Sequence, residues 1–199
     1  MSTIKLKMTM LACMGLGVAA MAPVAQAATG DWLVRVGPVA VTPTSDETDL
    51  QTGGGLGVSG TYMVADHWGV ELLAAAAKSD LKYAGSKYGD TAVVPLALSL
   101  QYHFLPEGRV RPYVGAGINH LMFTSENIEG CDCKITDSTG WAAQAGVDFA
   151  VGTNWMVNAD VRYLASKVAL SAGGVSSDKA KFNPVLVSVM FGWKFGGAK

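Results

Sequence analysis

Beyond its first 27 residues this 199-residue chain has no apolar run long enough to cross a membrane as a helix, although half of its residues are hydrophobic. A spanning helix needs about 20 consecutive apolar residues, so a helical membrane protein is excluded. Charge is also scarce, at 16% Asp, Glu, Lys and Arg. That is below the usual quarter and leaves little to solvate an ordinary water-soluble surface. There is no excess of positive charge, and hence no electrostatic footprint for nucleic acid. Cysteine is almost absent: Cys13 lies near the N-terminus, leaving Cys131 and Cys133. Two thiols fall short of the four ligands of a structural zinc site, and no other metal or cofactor constellation is visible.

Residues 1–27 read as a secretory leader. Lys5 and Lys7 form a basic start, Met8 to Ala22 an apolar centre, and Ala25-Gln26-Ala27 an A-x-A cleavage site. Cleavage after Ala27 leaves residues 28–199, one domain of 172 residues. Removing Lys5 and Lys7 from the fifteen basic residues leaves thirteen against sixteen acidic ones, a net of −3.

Eight segments alternate with period two: 31–41, 55–65, 68–77, 91–104, 111–123, 141–151, 155–164 and 182–195. In each, one parity is apolar and free of Asp, Glu, Lys and Arg. Trp32, Val34 and Val36 begin the first such set, and Val187, Val189, Phe191, Trp193 and Phe195 end the last. The opposite parity carries Arg35, Glu71, Gln101, His103, Gln144, Asp148, Asn158, Asp160, Arg162 and Lys194 among many small residues. A soluble sandwich with the apolar parity inside would expose a Gly- and Ser-rich face with too little charge. Strands facing lipid satisfy the pattern, and in lipid they must close so that no edge is left unpaired. The reading is all-β: an eight-stranded, antiparallel, up-and-down transmembrane β-barrel.

The aromatic residues and the breaks agree. Trp32, Trp68 and Trp155 open strands, while Tyr62, Phe104, Phe149 and Trp193 lie near strand ends that share the same rim. This is the aromatic girdle of a membrane interface. Breaks after the second, fourth and sixth segments are short and the others longer and polar, which predicts short periplasmic turns and long outer loops in a Gram-negative outer membrane. Outer membrane lipids, periplasmic chaperones and the barrel-assembly machinery are the expected partners.

Several stretches resemble the OmpW family of outer membrane proteins. Asp31-Trp-Leu-Val-Arg-Val-Gly-Pro38 is similar to the family's first strand. Tyr62-Met-Val-Ala-Asp-His-Trp-Gly-Val-Glu-Leu-Leu-Ala-Ala75 is similar to its second hairpin. Arg111-Pro-Tyr-Val-Gly-Ala-Gly-Ile-Asn119 resembles its fifth strand, and Gly146-Val-Asp-Phe149 with Asn154-Trp-Met-Val-Asn158 its third turn. Family members commonly end on the last aromatic, whereas here Phe195 is followed by Gly196-Gly-Ala-Lys199. The resemblance implies a narrow barrel passing small hydrophobic molecules. It also implies a bacteriocin-receptor role in some members, and no catalytic residue.

The inward parity divides by height. Val39, Val41, Leu73, Val93, Leu121, Phe123, Leu164 and Leu186 form an apolar upper wall, the candidate lining for a solute. Arg35, Glu71, Asp148, Asn158, Asp160, Arg162 and Lys194 form a charged plug on the periplasmic side, with Arg35–Glu71 and Asp160–Arg162 as expected pairs. Eight strands leave room for side chains or one small ligand. Entry of small hydrophobic solutes is the leading function, and a filled lumen whose loops bind partners is the alternative. Proline donates no ladder hydrogen bond. Pro38 on the first strand and Pro184 on the last therefore mark a seam for sideways release, with Pro95 a second candidate. Cys131 and Cys133 read as a local disulfide in the third outer loop. His120 has Ser125 and Glu126 nearby, but it falls on the lipid-facing parity with nothing to orient it, so no enzyme is indicated.

Overall fold

The computed structural model describes residues 28–44, 52–83, 86–128, 133–135, 137–168, 170–172, 175–176, 180–181 and 183–196. The leader, with its cleavage motif, and Cys131 lie outside the described residues.

Eight strands close into an antiparallel barrel: β1 (Asp31–Thr42), β2 (Gly53–Ala65), β3 (Trp68–Tyr83), β4 (Ser86–His103), β5 (Val110–Ile128), β6 (Ser138–Ala150), β7 (Trp155–Leu164) and β8 (Val185–Gly196). Each pairs with its chain neighbours and β8 pairs with β1, so no edge remains. Short turns join β2–β3, β4–β5 and β6–β7 at one rim, and the other connections leave from the opposite rim. Beyond that rim Cys133–Ile135, Leu170–Ala172 and Val175–Ser176 form a small sheet, and Lys167–Val168 pairs with Ala180–Lys181.

The alternation places the apolar parity outside throughout. Leu98, Val187 and Val189 leave about half of their surface open, 46–54%, while their inward neighbours are buried. That orientation follows from the strand repeat of two, given a surrounding that accepts only apolar side chains. The girdle forms at the turn rim as ring contacts: Trp32–Tyr62 at 5.1 Å, Trp68–Tyr102 at 5.0 Å and Trp155–Trp193 at 4.1 Å between centroids.

Three strands run five or six residues further at the loop rim than the alternation indicates. The β3–β4 hairpin continues through Ser79↔Thr91 and Asp80↔Asp90, and β5 reaches Ile128. Above the lipid nothing selects an apolar parity, so the backbone ladder persists where the sequence pattern stops. β8 starts later, at Val185 rather than 182, because Asn183 adopts a left-handed φ of 34° and Pro184 follows it.

Following paired residues once around the barrel fixes its shear. Trp32 leads to Tyr62, Val70, Leu100, Ala116, Ala143, Tyr163 and Val185, and back to β1 at Thr42. The circuit climbs ten residues, from 32 to 42, over eight strands. Such a stagger tilts the strands by roughly 40° and gives each inward side chain a definite height.

Candidate functional site: the barrel interior

Corrected for that shear, Arg35, Glu71, Gln101 and Asn158 share one height, about three residue positions above the Trp32–Trp68–Trp155 girdle. Closure brings together polar side chains as far as 113 positions apart in sequence, and their bonds cross the lumen. Arg35 chelates Asp148, with Nε to Oδ1 at 2.9 Å and Nη2 to Oδ2 at 2.7 Å, and its Nη1 donates to Thr61 at 2.8 Å. Arg162 Nη2 lies 2.7 Å from Glu71 Oε2 and 3.5 Å from Asp160. Gln144 donates to the same Glu71 oxygen at 3.1 Å, and Tyr113 donates its hydroxyl proton to Asp160 at 2.9 Å. Asn158 bridges Asp148 and the Tyr113 hydroxyl, and the Arg35 guanidinium sits 5.7 Å over the Tyr113 ring. The guanidinium and carboxylate groups are almost wholly buried. Burial of this kind is sustainable only because each charge is paired and the donors converge.

Both expected pairings change in emphasis. Arg35 approaches Glu71 only to 3.9 Å, and its chelating partner is Asp148. The short partner of Arg162 is Glu71, not its strand neighbour Asp160. Lys194, bonded to Asp31 at 3.1 Å, lies at the turn rim, Asp148, Asn158, Arg35 and Glu71 stand in the lower half of the barrel above it, and Arg162 reaches mid-barrel. Tilt is the reason, since residues at equal distance along two strands are not at equal height.

Above this layer the expected apolar wall assembles. Val39, Val41, Leu73, Val93 and Leu186 pack with Ala75, Ala77, Ala97 and Met190, while Leu121 and Leu164 pack with Ala142. Phe123 touches both groups.

The OmpW family model matches residues 27–195. The chain belongs to the OmpW family. Outer membrane protein W of Salmonella typhimurium (strain LT2) is 32% identical, over 83% of this chain and 89% of that protein. The crystal structure of the outer membrane protein OprG from Pseudomonas aeruginosa superposes with a TM-score of 0.71 at 26% identity, covering 88% of this chain and 99% of that one. The solid-state NMR structure of outer membrane protein AlkL in DMPC lipid bilayers gives 0.64 at 25% identity, covering 94% and 99%. This OmpW-family barrel is therefore an outer membrane protein, and its charge-free face is its lipid face.

In the OmpW-family barrel the seam residues separate. The β1–β8 ladder runs from Asp31 to Val36 and resumes at Val39, skipping Gly37 and Pro38. Pro38 faces outward and is exposed. A side chain at Gly37 would collide with the Val189 carbonyl, so glycine lets β8 approach closely there. Pro184 does not share this interruption. It is buried just before β8, with its carbonyl accepting from Leu164 N–H at 3.0 Å. The β3–β4 ladder has a similar skip beside Pro95, between Ala74↔Leu96 and Ala77↔Val93.

His67 is a turn residue, with Nδ1 2.7 Å from the His103 carbonyl and its ring stacked on Tyr102. Thr29 donates its amide and hydroxyl to Asp66 in the same turn, which holds that carboxyl below its ordinary range. His120 lies on the outward face, 2.9 Å from the Thr139 hydroxyl. Sequence reasoning missed Arg111, Tyr113 and the lower apolar cluster of Leu33, Met63 and Met156. Their inward parity is readable in the alternation, but nothing local in β5 marks Arg111 or Tyr113 as members of the polar layer.

Proposed function

We propose that this barrel admits small hydrophobic solutes from its outer face and releases them sideways into the bilayer. One observation carries the reading: an apolar upper interior rests on a polar layer whose bonds cross the lumen from β1 to β6 and from β7 to β3. An apolar solute gains nothing by displacing paired ions. Remaining in lipid keeps each CH₂ out of water at about 0.8 kcal/mol. The candidate lining is Val39, Val41, Leu73, Val93, Leu121, Phe123, Leu164 and Leu186. The candidate exit is the ladder skip at Gly37–Pro38, whose inner side Met190 covers by packing near Gly57. Pro184 is not part of this exit.

The alternative keeps one specific support. Leu73, Leu121, Leu164 and Leu186 are 0–2% exposed, a filled interior suited to a barrel whose loops bind partners. A solute must displace these side chains. Uptake by proteoliposomes with and without the protein separates the two readings.

The seam is tested by stapling it. Ala40 and Val187 are paired across β1–β8 on the lipid face, and cross-strand Cα separations of about 4.5–5.5 Å suit a disulfide. In a Cys131→Ser/Cys133→Ser background, Ala40→Cys/Val187→Cys should lose uptake when oxidised and regain it on reduction. Unchanged uptake with the staple fully formed rules out this exit.

The same proposal takes residues 28–199 as the mature chain, assembled by periplasmic chaperones and the barrel-assembly machinery, with a Cys131–Cys133 bond in the third outer loop. Labelling of the unreduced, denatured protein should find neither thiol reactive; reaction of both overturns the bond.

A further inference from the structure

The polar layer is unevenly satisfied. Among the described residues, Arg162 Nε and Nη1, Ser59 Oγ, Ser99 Oγ and Gln144 Oε1 are buried side-chain atoms with no hydrogen-bond partner. All four residues are 95% or more buried. Corrected for shear, they lie together at the upper edge of the layer, above Arg35 and directly beneath Val39, Leu186 and Leu164. Asp160 Oδ1, 3.5 Å from Arg162 Nη2, also lacks a hydrogen bond at this height, while Gln101 Nε2 and His103 Nδ1 lack one lower down, among other polar groups. A buried donor without an acceptor is costly, so polar atoms idle beneath an apolar wall mark where the polar end of a ligand that displaces that wall would be stabilised.

Charge decides what that end is. Arg35, Arg111 and Arg162 face Glu71, Asp148 and Asp160, three cations against three anions. A carboxylate would add a fourth anion beside Glu71, which already holds Arg162 at 2.7 Å. A neutral acceptor, such as a carbonyl or hydroxyl oxygen, takes the idle N–H groups without unbalancing the layer. A pure hydrocarbon leaves them idle.

We propose that Arg162, Ser59, Ser99 and Gln144 form a headgroup subsite beneath the apolar wall of the upper interior. It selects uncharged, oxygen-bearing apolar solutes such as ketones, alcohols and esters over hydrocarbons and carboxylates of equal length. The inference rests on the solute-entry reading and adds the substrate class.

The test is uptake by proteoliposomes holding the mature protein, each rate corrected for protein-free vesicles, of 2-octanone, n-octane and octanoate. The ketone should enter about tenfold faster than octane, the factor expected of one hydrogen bond to a charged donor. Octanoate should show no advantage over octane. Arg162→Lys keeps the charge facing Glu71 but removes the fork of donors, and should bring the ketone-to-octane ratio close to one. If that variant does not assemble, Ser59→Ala/Ser99→Ala supplies the second measurement and should lower the ratio. The carbonyl ¹³C resonance of labelled 2-octanone should show a bound, downfield population that both variants diminish. Equal uptake of ketone and octane, a preference for octanoate, or a ratio unmoved in both variants overturns the subsite while leaving the channel. Uptake of none of the three overturns the channel reading and the subsite with it.

Discussion

Asp148→Ala should destabilise the barrel by about 3–5 kcal/mol, the usual cost of stranding one partner of a buried ion pair. Asp148 accepts both arms of the Arg35 chelate and a further bond from Asn158, all in the sealed interior. Glu71, 3.9 Å from Arg35 and already held by Arg162, is poorly placed to substitute. Replacing both partners with apolar residues of similar volume, Arg35→Met with Asp148→Leu, should recover much of the loss because no uncompensated charge remains. The measurement is denaturant unfolding in lipid vesicles followed by tryptophan fluorescence. A cost below about 1 kcal/mol for Asp148→Ala would mean that water or another cation reaches Arg35, and the sealed layer would be wrong.

The second large effect tests the lipid face. Leu98→Arg and Val187→Arg put a guanidinium near mid-bilayer and should each cost about 2–4 kcal/mol. Both side chains are about half exposed on the outer wall, with no carboxylate on the apolar parity to receive the charge. Thr42→Arg, exposed at the loop end of β1, should cost little, since depth and not barrel position sets the penalty. The same vesicle titration reads all three. Equal costs at Leu98 and Thr42 would refute the assignment of this face to lipid.

These predictions use different halves of each strand. The outward half was legible residue by residue, because lipid imposes one requirement at every position and a period of two reports it directly. Val36, Leu98 and Val189 needed only that rule. The inward half obeys no such uniform demand. Arg35 and Asp148 are 113 positions apart, and nothing local in either strand announces the other. Sequence proximity instead suggested Asp160 for Arg162, and the fold gave Arg162 to Glu71 on β3.

Alternation along the chain was enough to establish an eight-stranded barrel, the face that meets lipid, the rim that carries the girdle and the side chains that point inward. Those properties follow from alternation and from the need to close every edge in a solvent without hydrogen bonds. The height of each inward residue and the partner it meets emerge from the closed sheet. A shear of ten residues around eight strands displaces equal strand positions by different heights. That displacement raises Arg162 to mid-barrel beneath the apolar wall, sets Asp148 against Arg35, and separates Pro184 from the interruption at Pro38. Register and closure are properties of the whole sheet, so no single strand can encode them.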